Sequence, residues 1–334
     1  MKKRFPATLL LLFMLLCGCH KKTGSPILPL ESSMPPVSAA GTVYTPAPAA
    51  SSTPQATPSP SPLPTLAPVP TPPGLLGRRH EEKFTLEEIC TDSSYTSPRQ
   101  SLSWYMVEDR ETFGKLVTYY VVDIWIRDVT LLRTAFAQDQ FKARYIQDIE
   151  DISRQTGAIA ALSGDFAVYR KKGLVIRNGE VLRKSLDSSR DVGVLYKDGT
   201  FACYEAGQVP LEDILSRDPW QSWCFGPSLL TADGSHKSRF HTTVAATNPR
   251  AAFGYYEPGH YCFVLVDGRS KKHSLGLTME ELSTLMESLG CCAAINLDGG
   301  ATAQLSWNHA LVNQPSGGGR RINDILYLAP EAQP

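Results

Sequence analysis

The chain has 334 residues, and its 33 Lys and Arg are matched by 33 Asp and Glu. This balance gives no basic bias of the kind that binding to nucleic acid requires. The 25 prolines are concentrated in one segment near the amino terminus, so the chain cannot be globular throughout.

The amino terminus is typical of an exported protein. A basic start, Met1 to Arg4, precedes the apolar run Leu9 to Leu16, which is of signal-peptide length and too short for a stable membrane span. The following Leu-Cys-Gly-Cys, ending at Cys19, resembles a bacterial lipobox. This resemblance implies cleavage after residue 18, lipid attachment to Cys19 and anchoring to the outer face of the cytoplasmic membrane by that lipid alone. An ordinary secretory signal with incidental cysteines is the alternative.

Residues 19–76 are predicted to form a disordered tether. Fifteen prolines lie between Pro26 and Pro73, and Ser, Thr and Ala fill most of the remainder. Proline removes backbone donors and favours extended geometry, so this segment cannot build a core. Fully extended, it spans roughly 100 Å or more. A spacer is the favoured interpretation, and recognition of its proline motifs is the alternative.

Residues 77–334 are then predicted to form one globular domain. Outside the cytoplasm its cysteines are candidates for disulfides, and the sequence does not select a pairing. No Cys-x-x-Cys or His-Glu-x-x-His motif is present, so a zinc-type site is unsupported. The cysteines that remain after signal cleavage and lipidation are Cys90, Cys203, Cys224, Cys262, Cys291 and Cys292.

The first predicted elements of this domain are a strand, a helix and a second strand. Alternating apolar side chains predict a strand over Thr118 to Arg127. Apolar residues at helical spacing predict an amphipathic helix over Gln138 to Gln155, ending before Gly157. The apolar run Ala158 to Leu162 predicts a buried strand.

Two hairpins follow, each centred on a turn dipeptide. Asn178-Gly179 lies between β-rich arms over Leu174 to Leu182, as a type I′ turn requires. In the second hairpin, over Val192 to Tyr204, the turn dipeptide is Asp198-Gly199. The remaining predictions before the last helix are a short helix over Pro210 to Arg217 and three strands over His241 to Ala246, Ala251 to Tyr256 and Tyr261 to Val266.

The last helix is the best marked of the predicted elements. Thr278 is its expected N-cap and Glu281 completes a capping box for a helix over Met279 to Leu289, with Gly290 after its end. Strands and hairpins with few helices, and without regular βαβ alternation, predict a single α+β domain with a mixed, largely antiparallel sheet.

The stretch from Ala294 to Thr302 carries the strongest functional signal. An apolar run ends in a carboxylate, Asp298, followed by two glycines. Asn296 and Asp298 are two residues apart, so both side chains leave the predicted strand on the same face. The glycines allow a sharp turn and close approach to a ligand. The alternative is a structural turn in which Asp298 caps its own backbone.

Several short motifs, in this order, resemble the phosphodiester glycosidase family. The resemblance extends over about residues 119–328, and the motifs that carry it are Asn248-Pro249-Arg250, Phe253-Gly254, Val266-Asp267-Gly268-Arg269, Ser274 to Thr278, Leu289-Gly290, Asn296 to Gly300, Val312-Asn313 and Arg321 before Asp324 to Leu328. Upstream, Ser163-Gly164-Asp165-Phe166 and the hairpin around Asn178-Gly179 are similar to further family segments. Ser163 replaces the family's usual Asn, and Ala301-Thr302 replaces its usual Gly-Ser.

The resemblance implies cleavage of a sugar–phosphodiester linkage at the sugar, with an N-acetylglucosamine-type sugar in a cell-envelope or exopolysaccharide substrate. Such a reaction needs carboxylates to stabilise the transition state and cations to hold phosphate. The candidate catalytic residues are Asp298, Asp165 and, third, Asp267. The candidate substrate-binding residues are Arg250, Arg269, Arg321, Asn296, Gly299, Gly300, Thr302 and Asn313.

No cofactor is implied, although carboxylates near a phosphate are also compatible with a divalent cation. The sequence leaves two alternative functions open. One is a glycan-binding protein that keeps the fold without turnover, which the Ala301-Thr302 replacement favours. The other is a phosphodiesterase that cuts the phosphorus–oxygen bond. Trp307 and Tyr256 are weaker candidates for stacking on sugar rings, and packing is the favoured role of both. His241 is a weaker candidate for the pocket wall, with a core or surface histidine as the equal alternative.

Overall fold

The computed structural model describes Leu76 and residues 79–330. The predicted signal peptide, Cys19 and nearly all of the tether lie outside these residues. Three α-helices are present in the described part: α1 (Ile149–Thr156), α2 (Leu211–Leu215) and α3 (Met279–Ser288). None of them is long and apolar enough to cross a membrane.

The strands of the described residues are named β1 to β17 in chain order. They are β1 (Ile89–Cys90), β2 (Ser94–Thr96), β3 (Gln100–Asp109), β4 (Val117–Ile126), β5 (Arg133–Phe136), β6 (Ala160–Ser163), β7 (Val175–Arg177), β8 (Glu180–Arg183), β9 (Val192–Tyr196), β10 (Phe201–Tyr204), β11 (Pro219–Trp223), β12 (Arg250–Glu257), β13 (His260–Val266), β14 (Ala293–Asn296), β15 (Leu305–Trp307), β16 (Ala310–Leu311) and β17 (Asp324–Leu328).

These strands form antiparallel sheets of seven, five, three and two strands. The largest has the order β1-β2-β3-β4-β13-β12-β14, and the five-stranded sheet has the order β16-β15-β6-β17-β5. Strands β9 to β11 form the third sheet, and β7 and β8 form a hairpin. The predicted α+β class, with largely antiparallel sheets and few helices, is confirmed.

The two largest sheets enclose the main apolar core. One face of the seven-stranded sheet contributes Phe253, Phe263 and Ile295, which are fully buried with Leu162 and Leu326 of the five-stranded sheet. The other face packs against α3 through a second apolar cluster. Because both faces of β12 and β13 are covered, these strands are nearly continuous apolar runs rather than strictly alternating ones.

Helix α3 forms as its sequence predicts. The Thr278 side chain accepts a hydrogen bond from the Glu281 N–H, and the Glu281 carboxylate accepts one from the Thr278 N–H. Gly290 follows with a φ of 83°, a conformation that a glycine adopts without strain. This helix directs the chain into β14, which ends at Asn296 and delivers Asp298 just beyond the sheet.

Of two predicted elements, the helix over Gln138 to Gln155 forms only in its second part, as α1, and the strand over His241 to Ala246 is wrong. Residues 138–148 are not helical, because Ala137 and Gln147 pair through their backbones with Asn323 and Ile322 instead. Gln138 also has a φ of 54°. The segment 241–246 is not a strand: its carbonyl groups accept hydrogen bonds from the buried Arg250 side chain. In the first segment long-range backbone pairing overrides the local pattern, and in the second the nearby Arg250 guanidinium takes the carbonyl groups that strand pairing would use.

Candidate active site

Three chain segments meet at one edge of the five-stranded sheet. The Gly164 N–H donates to the Asp324 carbonyl at 2.9 Å, and the Asp298 N–H donates to the Gly164 carbonyl at 3.1 Å. These bonds join the end of β6, the start of β17 and the turn after β14. The cavity they border has a volume of about 540 Å³ and is lined by Ile146, Ser163, Gly164, Phe166, Tyr169, Asp298, Thr302, Arg320, Arg321, Ile322, Asn323 and Asp324.

Gly164 allows the close approach between these segments. A Cβ atom at this position would lie 2.3 Å from Cγ of Asp324, far inside van der Waals contact. Any larger residue would therefore displace the carboxyl group that lines the cavity. The position needs glycine for space, because its φ lies outside the range that L residues avoid.

Asp298 presents a partly shielded carboxylate to the cavity. Its side chain is 15% exposed, and Oδ2 lies 3.5 Å from a guanidinium nitrogen of Arg320. Burial raises the pKa of Asp298, whereas the Thr302 hydroxyl and the charge of Arg320 offset part of this rise. Thr302 also donates to the Gly299 carbonyl at 2.6 Å, which closes the turn after Asp298.

Asp324 is the second carboxyl group of the cavity. It is 3% exposed, and Oδ2 lies 3.3 Å from Nη2 of Arg177. Burial and the neighbouring charge of Asp165 raise the pKa of Asp324 to about 7, although Arg177 opposes the rise. No motif in the sequence marks Asp324 as functional, because it stands at the start of an apolar strand rather than in a polar cluster.

Asp165, a predicted catalytic residue, lies behind the cavity rather than in its wall. Its Oδ1 accepts from Nη2 of Arg177 at 2.8 Å and from the Ala167 N–H at 3.2 Å. Its Oδ2 accepts from the Cys224 N–H at 2.8 Å. The side chain is fully buried, so in this structure it orients Arg177 and, through Arg177, Asp324.

Asp267, the third predicted carboxylate, is also fully buried and has several donors. Its Oδ1 accepts from Nδ2 of Asn313 at 2.7 Å. Its Oδ2 lies 2.8 Å from Nε2 of His273 and accepts from the Gln314 N–H at 3.0 Å. Asn313 also accepts from the Leu305 N–H, so both predicted residues tie the end of β13 to the chain after β15.

The predicted arginines have different environments. Arg250 is buried and donates to the carbonyl groups of Leu277 and Val244 at 2.9 and 2.8 Å, and also to Ala246. Arg269 donates to Oδ1 of Asn248 at 2.8 Å. Neither lines the cavity that contains Asp298.

Arg321 does line that cavity, together with its neighbour Arg320. Their side chains are 53% and 55% exposed, respectively. Arg321 lies 3.9 Å from the Asp148 carboxylate. The two arginines that border the cavity are therefore adjacent in the chain, whereas the motif arginines at 250 and 269 bind carbonyl or amide oxygens elsewhere.

The remaining predicted residues shape the turn that carries Asp298. The Asn296 side chain donates to the Gly226 carbonyl at 2.9 Å, and its buried Oδ1 has no hydrogen-bond partner among the described residues. A Cβ at Gly299 would lie 2.6 Å from the Pro249 carbonyl oxygen. Gly300 has a φ of 68° and lies against the Arg269 guanidinium. This packing explains both glycines without a ligand.

An aromatic pair forms an apolar part of the cavity. The rings of Phe166 and Tyr169 stack with centroids 4.3 Å apart. Trp307, one of the weaker sequence candidates, is buried in the core instead. Tyr256, another, stacks on His260. Within residues 79–330 and at Leu76, no cluster of three or more His, Cys, Asp or Glu side chains has the arrangement of a metal site.

Comparison with known proteins identifies relatives of this chain. A protein of Bacillus subtilis (strain 168), the SPbeta prophage-derived uncharacterized protein YomE, is 33% identical over 165 residues. The alignment covers 47% of this chain and 25% of that protein, so the chain spans about a quarter of the length of this relative.

Among solved structures, the zebrafish N-acetylglucosamine-1-phosphodiester alpha-N-acetylglucosaminidase catalytic domain, auto-inhibited by its pro-peptide, has a similar fold. Its TM-score is 0.58 at 17% sequence identity, and the match covers 77% of this chain and 94% of that one. The sequence model of the phosphodiester glycosidase family matches residues 156–329, slightly more than half of the chain. The protein therefore belongs to the phosphodiester glycosidase family.

Proposed function

We propose that the protein is an extracytoplasmic hydrolase that cleaves the glycosidic bond between a sugar and a phosphodiester. The observation that carries this proposal is the pair of carboxyl groups, Asp298 and Asp324, in the wall of one cavity whose rim bears Arg320 and Arg321. Family membership supports the reaction class. The proposed sugar is of the N-acetylglucosamine type, as in the name of the zebrafish enzyme.

The two carboxyl groups suit different roles. Asp298 is more exposed to solvent than Asp324 and has Arg320 beside it, so we assign it the ionised state, in which it stabilises an oxocarbenium-like transition state or attacks the anomeric carbon. Asp324 retains a proton to higher pH, because burial and Asp165 raise its pKa. This proton can pass to the leaving oxygen or be recovered from water.

The leaving group determines how much each carboxyl group contributes. A phosphate monoester is a weak base, so its departure needs less protonation than the departure of a sugar alkoxide does. Stabilisation of the anomeric carbon by Asp298 should therefore account for more of the rate than proton donation by Asp324. Arg320 and Arg321 are placed to hold the phosphate oxygens, since guanidinium groups bind them in a bidentate manner.

The cavity also has the components that a sugar needs. The stacked Phe166 and Tyr169 rings offer an apolar surface beside polar groups, as sugar rings require. The proposed location follows from the sequence: a signal peptide, a lipid on Cys19 and a proline-rich tether would hold the domain away from the membrane. This position favours a cell-envelope glycan or an exopolysaccharide as the substrate.

The test is the identity of the product. The purified protein is incubated with UDP-N-acetylglucosamine and with an alkyl phosphodiester of N-acetylglucosamine 1-phosphate, and the products are separated by mass spectrometry. Free N-acetylglucosamine supports the proposed glycosidase, whereas N-acetylglucosamine 1-phosphate indicates a phosphodiesterase. Binding without any product, across a panel of sugar phosphodiesters, indicates a glycan-binding protein and contradicts the proposal. Asp298→Asn is the matched inactive control.

A further inference from the structure

A second cavity, of about 460 Å³, shares no lining residue with the one that contains Asp298. We call it the basic cavity, because four of its lining residues are Arg190, Lys237, Arg239 and His241. Its wall is formed by the turns around residues 189–191, 205–206 and 225–228 and by the loop 237–243.

The acidic residues of the basic cavity are already bound to protein donors. Asp191 accepts from the N–H and hydroxyl of Ser228, both at 2.9 Å, and from the Ala206 N–H at 3.0 Å. Glu205 accepts from Lys237 at 2.9 Å. In the cavity wall, Asp191 therefore joins parts of the fold, and Glu205 pairs with Lys237.

Two of the basic residues have donor groups that no described protein group binds. Among the described residues, neither Arg239 nor His241 has a hydrogen-bond or ion-pair partner, and both are exposed. The neighbouring hydroxyl of Thr242 only accepts, from the Val244 N–H at 3.3 Å, so its proton is free to be donated. A cavity with spare guanidinium, imidazole and hydroxyl donors suits an anion with several oxygens, such as phosphate.

Arg250 holds the loop that carries these donors. Its guanidinium binds the carbonyl groups of Val244, Ala245 and Ala246, directly after Thr242 and Thr243. Its Nε donates to the Leu277 carbonyl, next to the N-cap of α3. The loop is thus tied to a rigid helix start, and a predicted phosphate-binding arginine becomes a positioning residue for the basic cavity.

The segment Phe225-Gly226 connects the basic cavity to the Asp298 site. Arg190 donates to the Phe225 carbonyl at 3.2 Å, and the Arg170 guanidinium lies 4.8 Å from the centre of the Phe225 ring. The positive charge of Arg190 and the negative charge of Asp298 both act on the pKa of Arg170, which burial lowers. Asn296, two residues before Asp298, binds the Gly226 carbonyl.

We propose that the basic cavity binds a second phosphodiester group of the same substrate molecule, with Arg239 and His241 as its specificity-determining residues. The substrate class is then a polymer with phosphodiester groups along its backbone, rather than a nucleotide sugar or a single sugar phosphodiester. This inference rests on the proposed function, since it takes the Asp298 cavity as the place where the first linkage is cleaved.

The test compares two substrates and two double variants of the whole protein. The substrates are an oligomer of phosphodiester-linked N-acetylglucosamine and an alkyl phosphodiester of N-acetylglucosamine 1-phosphate. The double variant Arg239→Gln, His241→Gln should raise KM for the oligomer about 5- to 10-fold and leave kcat unchanged. A change of this size corresponds to the loss of one charged contact. The kinetics on the single diester should not change. The control is Lys271→Gln with Lys272→Gln, which removes at least as much charge from exposed residues that line neither cavity.

The outcomes separate this inference from the proposed function. If the variant cleaves the oligomer with a KM within twofold of the wild type, the second site is refuted while the proposed function stands. If the wild type cleaves neither substrate, the proposed function fails, and calorimetric binding of the oligomer decides the inference. Weaker binding by the Arg239 and His241 variant alone then supports the basic cavity, whereas equal affinity of both variants, or no binding by the wild type, overturns it.

Discussion

The ends of β13 and β14, the two strands that flank β12 in the seven-stranded sheet, look alike in sequence and differ in the structure. Each apolar strand is followed by an aspartate and a glycine, Asp267-Gly268 and Asp298-Gly299. Asp267 is fully buried, and its carboxylate has Asn313, His273 and the Gln314 N–H around it. Asp298 lines an open cavity and has fewer protein donors.

The difference shows that the number of internal donors, rather than the strand-end motif, separates a structural carboxylate from a reactive one. A carboxylate has about four lone-pair sites, and at Asp267 most of them are occupied by protein groups. Such a group cannot bind a substrate without breaking those bonds. At Asp298 the free sites face the cavity, and burial of the carboxyl group raises its pKa.

The largest expected effect is at Asp298. Asp298→Asn should lower kcat by about 10³-fold on a sugar phosphodiester, because it removes the negative charge nearest the anomeric carbon. Folding should not change, since the amide keeps the shape of the side chain. Steady-state kinetics and a thermal melt measure the two quantities. Full activity in this variant would remove Asp298 from the mechanism.

Asp267 should give the opposite result. Asp267→Ala should lower the free energy of unfolding by about 3 kcal/mol, because the buried donors around it lose their acceptor. Urea denaturation measures this loss. The activity that remains per folded molecule should be close to that of the wild type. A fall in kcat with unchanged stability would instead give the end of β13 a catalytic role.

Asp324, the other carboxyl group of the Asp298 cavity, should make the stability of the fold depend on pH. Because its pKa in the folded protein lies near 7 and that of an unfolded Asp near 3.9, folding favours the protonated form. The stabilisation is complete below about pH 4 and is lost as the pH rises through about 7, on the order of 4 kcal/mol in total. Asp324→Asn should therefore show a smaller loss of stability between pH 5 and pH 8 than the wild type. Equal slopes in urea denaturation would contradict this assignment.

The smallest expected effect is at the rim of the Asp298 cavity. Arg320→Gln should raise KM about fivefold with little change in kcat, since Arg320 is half exposed and solvent screens its charge. The matched control is Arg269→Gln, whose guanidinium binds Asn248 outside this cavity. An equal increase of KM in the two variants would argue against a phosphate site at Arg320.

Local patterns in the sequence predict much of the fold. The capping box at Thr278, the Asn178-Gly179 turn and the apolar strands around Phe253 and Phe263 all form as expected. Each depends on neighbours within a few residues, so its signal is contained in one short segment. The segment 138–148 fails because its backbone pairs with residues far away in the chain. The segment 241–246 fails because its carbonyl groups bind the Arg250 side chain and the Met279 N–H.

The candidate site is predictable only in part, for a related reason. The motif around Asp298 identifies the turn, and Thr302 and Arg321 also line its cavity. The sequence does not single out Asp324, because its raised pKa comes from burial beside Asp165 and Arg177, which lie on separate segments. Conversely, Arg250 carries a motif signal, yet its guanidinium is bound by carbonyl groups that only the fold brings together.

The most direct test of this account is a crystal structure of the Asp298→Asn variant with a bound N-acetylglucosamine phosphodiester. We predict that the anomeric carbon lies about 3–3.5 Å from the side chain at position 298, with the sugar ring near Phe166 and Tyr169 and the phosphate near Arg320 or Arg321. A sugar phosphate bound only at Asp267, or only in a cavity that does not include Asp298, would contradict it.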